Sequence, residues 1–415
     1  MAIVRPFKGL RPRKEDAAKL ASPPYDVLSS EEAREMAKDN PTSFLHVIKP
    51  EIDLDPGIDP YDKRVYEKGA ENLQKMIRDG ILVQDSEPAF YIYKQLMGGH
   101  RQIGLVACAS VEEYEKDMIK KHELTRPDKE DDRVNLIGHL SAQTGPVFLT
   151  YKANDQIDDI MNVIVNTDPE YDFSDEKNVR HTLWVVTDLD VIRQIQSQFE
   201  RVDCLYVADG HHRSAAAMRI KQIRQKENPG HNGGEEYNYF LTVIFPDNQM
   251  QILDYNRVVR DLNGMEVDQF IKKISDRFSY LKLEEGRRYK PDHKHSLGMY
   301  LNNCWHKLTP LNNSFDETDP VDRLDVSILQ NNLLSPILGI QDPRKDKRID
   351  FVGGIRGLSE LEKRVNSGKW QVAFALYPTS MDDLMAIANS GNIMPPKSTW
   401  FEPKLRSGLV SHRLD

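Results

Sequence analysis

Cys204-Leu205-Tyr206-Val207-Ala208-Asp209-Gly210-His211-His212-Arg213-Ser214-Ala215-Ala216-Ala217 carries the turn on which the fold is read. Its first five residues are an apolar run short enough for a buried strand. Asp209 and Gly210 interrupt the run, and the alanines beyond them favour a helix. A strand that turns sharply through glycine into a helix collects unpaired N–H groups and the positive end of the helix dipole at one point, where an anion is stabilised. Phosphate is the expected guest. Asp209, at the strand end, has the chemistry to hold a magnesium ion or to accept a proton from an attacking hydroxyl. His211, His212 and Arg213 have the chemistry to donate to phosphoryl oxygens. Adjacent histidines leave a helix start in different directions, so one is expected at the ligand and the other in the anchorage of the loop. The plainer reading is that Asp209 caps the helix and the histidines bond buried partners.

Outward from the turn, three hairpins are expected. Phe90 to Leu96 and Ile103 to Ala109 flank Gly98-Gly99; Tyr239 to Phe245 and Gln251 to Tyr255 flank Pro246-Asp247-Asn248; Leu297 to Leu301 and Trp305 to Leu308 flank Asn302-Asn303. Val147 to Tyr151, Thr182 to Val186 and Gln371 to Leu376 read as further buried strands. Helical periodicity covers Glu31 to Asp39, Ala70 to Asp79, Ser214 to Gln225, Val267 to Arg277, Val321 to Leu334, Ser359 to Val365 and Met381 to Asn389. The expected class is mixed α/β (α+β), with largely antiparallel sheets and packed helices. With 415 residues the chain exceeds one ordinary core. Three closely packed lobes are expected: an N-terminal α/β lobe over 1–150, a central lobe with the turn over 151–260, and a C-terminal α/β lobe over 261–415.

Two more segments carry chemistry. In Lys120-Lys121-His122-Glu123-Leu124-Thr125-Arg126-Pro127-Asp128-Lys129-Glu130-Asp131-Asp132-Arg133, the Thr125 and Asp128 spacing resembles a capping box, and Pro127 suits a first helical turn. Arg126, Lys129 or Glu130, and Arg133 then recur on one helical face, either as a solvated, ion-paired surface or as a site for phosphate and metal together. In the tail, Met394 to Leu409, Lys397-Ser398-Thr399 lacks the preceding glycines of a P-loop. What remains is a proline-braced loop carrying Lys397, Ser398, Thr399 and Lys404, expected either to close over a nucleotide or to dock for stability alone. Tyr25 and Asp26 sit in a stiff Ser22 to Val27 loop and are expected either to line a site or to form a connector.

The formal net charge of −9 argues against a chain that coats nucleic acid. Three dispersed cysteines, Cys108, Cys204 and Cys304, offer no CxxC zinc pair and no disulfide framework, which suits a reducing cytoplasmic setting. No stretch approaches the ~20 apolar residues of a membrane helix, and the start lacks a signal peptide's apolar run, so neither membrane insertion nor export by that route is expected.

From Arg5-Pro6-Phe7 through Ser22 to Val27, Asn40 to Asp53, His122 to Arg133, Thr144-Gly145-Pro146-Val147, Asp209 to Arg213 and Met394 to Leu409, the chain resembles a bacterial and archaeal family of uncharacterised proteins, a domain of unknown function. The Asp-Gly-His-His-Arg element is similar to that of the free serine kinases, within the wider ParB and sulfiredoxin-like superfamily. This resemblance implies a core of that kind around the strand, turn and helix, with Gly210, Arg213 and Ala216 matching its Gly-x-x-Arg-x-x-Ala phosphate pattern. Sulfiredoxins carry a cysteine where His211 and His212 stand, so a thiol mechanism is not implied. The resemblance further implies ATP or ADP and Mg²⁺ as cofactors, with Asp209, His211, His212 and Arg213 at phosphates or metal. Glu123 is the first choice to take a proton from a serine hydroxyl, and Glu130 the second. The expected site therefore holds Asp209, His211, His212 and Glu123 as catalytic groups. Gly210, Arg213, Arg126, Lys129, Arg133, Lys397, Ser398, Thr399 and Lys404 would bind the nucleotide, and Asp209 and Glu130 the metal. The expected function is a nucleotide-dependent phosphotransferase for a small hydroxyl-bearing metabolite. The alternatives are a ParB-like nucleotide-binding regulator contacting DNA or a partner, and a phosphohydrolase.

Overall fold

The computed structural model describes residues 2–415. The chain forms two compact units, one built from residues 2–250 with 403–415 and the other from 251–402. In the first, the main sheet runs in the order Ile119–Lys120, Leu205–Asp209, Val147–Tyr151, Tyr239–Pro246, His100–Ser110, Phe90–Met97, Val179–Val186 and Tyr171–Ser174, with Val4–Arg5 also on His100–Ser110. Two of these pairings are parallel, Leu205–Asp209 with Ile119–Lys120 and Tyr239–Pro246 with Val147–Tyr151; the others are antiparallel. The Phe90–Met97 and His100–Ser110 strands pair from Tyr91 opposite Val106 to Met97 opposite His100, which is the expected hairpin. Because Val147–Tyr151 sits between Leu205–Asp209 and Tyr239–Pro246, this sheet runs across the expected lobe limit near 150.

Alternation along these strands places Ile92, Leu105, Leu149, Val207 and Ile244 in one apolar core, each at most 1% exposed. A second core, under a small antiparallel sheet ordered Leu82–Gln84, Gly9–Pro12, Ser411–Arg413 and Ala142–Gln143, gathers Leu10, Phe44, Leu45, Leu73 and Leu140. Between them the Pro127–Leu140 helix packs on the His211–Glu227 helix through Val134, Ile137, Ala216 and Ile220, with Leu414 of the C-terminal segment completing the contact. Ala215, Ala216 and Ala217 are all buried: Ala216 lies in the contact between the two helices, where its small side chain lets them approach closely, and Ala217 packs in the core of the main sheet. That packing brings the two motif-bearing helices together.

The unit of residues 251–402 is an antiparallel sheet ordered Phe278–Lys282, Cys304–Pro310, Leu297–Leu301, Val372–Ala375, Tyr255–Val259 and Ile349–Gly353, with the Gly357–Asn366 helix on its core. The Leu297–Leu301 and Cys304–Pro310 hairpin turns at Asn302 and Asn303, both at positive φ, as expected. The hairpin expected across Pro246-Asp247-Asn248 does not form. Tyr239–Pro246 pairs with its neighbours in the first unit, whereas Ile252–Leu253 pairs with Trp400–Phe401 and Tyr255–Val259 with Ile349–Gly353 and Val372–Ala375. The turn-like residues mark the passage from one unit to the next. No helix among the described residues is long and apolar enough to cross a membrane.

Candidate functional site

The strand Leu205–Asp209 meets its neighbour Val147–Tyr151 in regular register at Tyr206 and Val207, but Asp209 rather than Ala208 stands opposite Phe148. This bulge re-aims the last side chain of the strand. Gly210 follows at φ 102°, a left-handed conformation that glycine alone adopts cheaply, and it caps the His211–Glu227 helix through its carbonyl, which accepts from the N–H groups of Arg213 (2.9 Å) and Ser214 (3.0 Å). Asp209 makes no capping bond to this helix, so the capping reading fails. Its carboxylate instead meets the Lys404 ammonium at 2.9 Å and lies 4.0 Å from the Arg213 guanidinium. Burial alone would raise its pKa, but the charges of Lys404 and Arg213 outweigh this and hold Asp209 well below the usual carboxylate range.

The two adjacent histidines diverge as expected. His212 turns to the Lys120 to Arg133 segment, where its Nε2 accepts the Arg126 backbone N–H at 3.1 Å; burial holds its pKa below the ordinary value. It is the anchor. His211 turns inward, 4% exposed, and its Nε2 lies 3.3 Å from Nε2 of His122, itself 2% exposed, with the rings perpendicular. Among the described residues, Nδ1 of His211 has no hydrogen-bond partner. Burial, and for His211 also the facing ring, keep both imidazoles neutral, with His122 pushed down to about 4 and His211 also well below its ordinary value. Glu123 is half-buried, and a carboxylate oxygen of it lies within 4.8 Å of a ring nitrogen of each histidine.

Arg213 extends from the first helical turn into a cavity lined by Tyr25, Arg133, Thr144, Gly145 and Ser407 together with apolar groups of the core. One guanidinium nitrogen donates to the Pro146 carbonyl, while Nε is buried with no acceptor. Arg133 enters the same cavity from the Pro127–Leu140 helix, stacked 3.7 Å from the Tyr25 ring centroid and bonded to the Asp132 carboxylate at 2.7 and 3.0 Å. Two guanidinium groups thus share one recess, a few residues from the Asp209–Lys404 pair.

Of the residues expected at the site, Asp209, Gly210, His211, Arg213, Glu123, Arg133 and Lys404 gather around the turn. Of these, Arg213 and Arg133 line the cavity; the remaining expected residues lie away from it. Arg126 pairs with Asp128 at 2.8 Å and is largely exposed, and Lys129 donates to the Tyr61 hydroxyl at 2.6 Å. Glu130 accepts from the Thr125 hydroxyl and lies 3.6 Å from Arg219. The Thr125 capping box is absent, because Pro127 at the first helical position holds Arg126 extended (φ −99°, ψ 131°) and moves the cap one residue on. Lys397, Ser398 and Thr399 belong to the unit of residues 251–402, where the Ser398 hydroxyl donates to the Pro395 carbonyl at 2.6 Å and Lys397 is exposed. His122, Thr144 and Ser407 lie within the stretches singled out in the sequence, but none of them was expected at the site. His122 had a signal, as a histidine next to the singled-out Glu123; the other two become visible only through tertiary contacts.

The family model described as "Protein of unknown function (DUF1015)" matches residues 4–327. The chain belongs to this family. No curated protein matches it. Among solved structures, it is similar to a conserved hypothetical protein from Pyrococcus furiosus at 12% identity and TM-score 0.36, covering 74% of this chain and 94% of that one. A free serine kinase in complex with AMP matches at 9% identity and TM-score 0.38, covering 74% and 91%. SbnI with C-terminal truncation from Staphylococcus aureus matches at 11% and 0.39, covering 74% and 86%.

Proposed function

We propose that this DUF1015 protein binds a nucleoside di- or triphosphate with its phosphates against Arg213 and Arg133, and transfers the terminal phosphoryl group to a small hydroxyl-bearing metabolite, serine being the first to try. The observation that carries this reading is the buried Arg213 Nε without an acceptor, in a cavity shared with a second guanidinium. A buried donor left unmet costs about 1–3 kcal/mol, more when charged, and phosphate oxygens remove that cost with charge-assisted bonds. In the proposed step the metabolite's hydroxyl oxygen attacks the terminal phosphorus. The bond from that phosphorus to its bridging oxygen breaks, and the shortened nucleotide leaves with the electron pair. The hydroxyl proton passes to a carboxylate. Asp209, held ionised by Lys404, is a poor proton acceptor, so Glu123 takes that role and Asp209 orients the cations around the phosphates. Magnesium would enter on the phosphate oxygens and spread their charge.

Purified full-length chain incubated with Mg·ATP or Mg·ADP and a panel of small alcohols, followed by ³¹P NMR, tests this. A new phosphate-ester resonance that depends on both protein and alcohol is expected. Nucleotide left unchanged across the panel, with no binding at millimolar concentration, would overturn the reading.

A further inference from the structure

We propose that His122, Glu123 and His211 form a site for one tetrahedral divalent metal ion of the zinc class, distinct from any magnesium carried by a nucleotide. The separation of the two ring nitrogens points to it. On a tetrahedral zinc ion with Zn–N of about 2.0–2.1 Å, two imidazole nitrogens stand about 3.3–3.4 Å apart; at a right angle on the same bond lengths they would stand about 2.9 Å apart. The two Nε2 atoms here are 3.3 Å apart, longer than the about 3 Å of a direct bond between nitrogen and its acceptor. The rings are perpendicular, with centroids 4.5 Å apart, so their carbon edges stay clear of each other while the nitrogens converge.

The Nε2 atoms of His122 and His211 face each other, and among the described residues Nδ1 of each ring is buried with no hydrogen-bond partner, so neither ring is held as a structural histidine bonded through both nitrogens. The third ligand is at hand: ligand atoms of His122, Glu123 and His211 all lie within 4.8 Å of one another, and Glu123 is partly exposed. Two imidazoles and one carboxylate are the donor set of the three-ligand sites that zinc occupies for chemistry, where a water would be the fourth ligand. The histidines are also rigidly placed, since the helices that follow them pack through Val134, Ile137, Ala216 and Ile220. Two nitrogen donors favour zinc or cobalt strongly over magnesium, which takes oxygen ligands.

The site does not depend on the phosphoryl-transfer reading, and it meets that reading at one group. Glu123 bound to a cation no longer accepts a proton, so zinc occupancy would suppress transfer while leaving nucleotide binding intact.

The test is titration of metal-stripped full-length protein with Co²⁺, read by visible absorption, followed by displacement with Zn²⁺. One equivalent with a four-coordinate cobalt spectrum, abolished by zinc and untouched by excess magnesium, is expected. His211→Ala and His122→Ala should weaken binding at least about 100-fold, and Glu123→Gln about tenfold or more. Circular dichroism identifies a histidine variant that has lost its fold, and the partly exposed Glu123→Gln then decides. No cobalt bound by the wild-type chain, a six-coordinate spectrum, or undiminished affinity in Glu123→Gln would overturn the proposal.

Discussion

Arg213 and Arg133 reach the same cavity in different states. Arg133 has its charge met by Asp132 and its face covered by Tyr25, whereas Arg213 keeps a buried Nε without an acceptor. In the function proposed above, the first would support a ligand and the second would be completed by one. A second instance of burial outrunning compensation lies in the other unit, at Asp325. Its carboxylate accepts the His295 N–H at 2.8 Å, one oxygen is buried without a partner, and burial pushes its pKa up to about 7. An unfolded chain releases this proton near pH 4. Between about pH 4 and 7 the folded state therefore holds a proton that the unfolded state has lost, and this group's contribution to stability falls as pH rises. Asp325→Asn removes that slope. Urea unfolding at pH 5, 6.5 and 8 should show the variant gaining on the wild type by on the order of 1–3 kcal/mol between pH 5 and 8; parallel curves would contradict the assignment. The residue types at the Asp209 turn were legible in the sequence because their chemistry is local. Their partners were not: Lys404 lies 195 residues from Asp209 and His122 lies 89 from His211, and only the fold supplies those contacts.

The strand, turn and helix at residues 205–227 were legible as elements because an apolar run, a glycine and a row of alanines each favour one backbone state. The glycine is the hinge of the arrangement. At φ 102° any side chain is strained, and a Cβ on Gly210 would lie 3.1 Å from the Arg213 guanidinium. Gly210→Ala should cost about 1–3 kcal/mol of stability and displace Arg213. Denaturant titration and phosphate-analogue affinity should fall together; wild-type values of both would show that the turn does not position the guanidinium. Two elements were misread for identifiable reasons. Thr125 with Asp128 has the spacing of a cap, but Pro127 restricts Arg126 and shifts the helix start. Pro246-Asp247-Asn248 has the composition of a hairpin turn, and whether the following strand folds back on its predecessor is decided by partners 90 or more residues away along the chain.

For the whole molecule, the mixed α/β class followed from the alternation of short apolar runs with helical periods. The grouping into two units did not, because the unit of residues 251–402 interrupts the other between its Tyr239–Pro246 strand and its C-terminal segment. The chain enters and leaves this unit side by side, with Ile252–Leu253 paired to Trp400–Phe401. Residues 403–415 then return to supply Lys404 to Asp209, Ser407 to the cavity and Ser411–Arg413 to the small sheet. No local pattern announces a return of this kind, and the cavity is complete only because of it. The property proposed for it is capture of phosphate oxygens by Arg213. Isothermal titration of the full-length chain with Mg·ADP and with pyrophosphate, against Arg213→Gln as the matched variant, measures this directly. Saturable binding by the wild-type chain, weakened about 10- to 100-fold in a variant that keeps its circular dichroism spectrum, is the predicted result. Equal affinity in both proteins, or none in either, would contradict it.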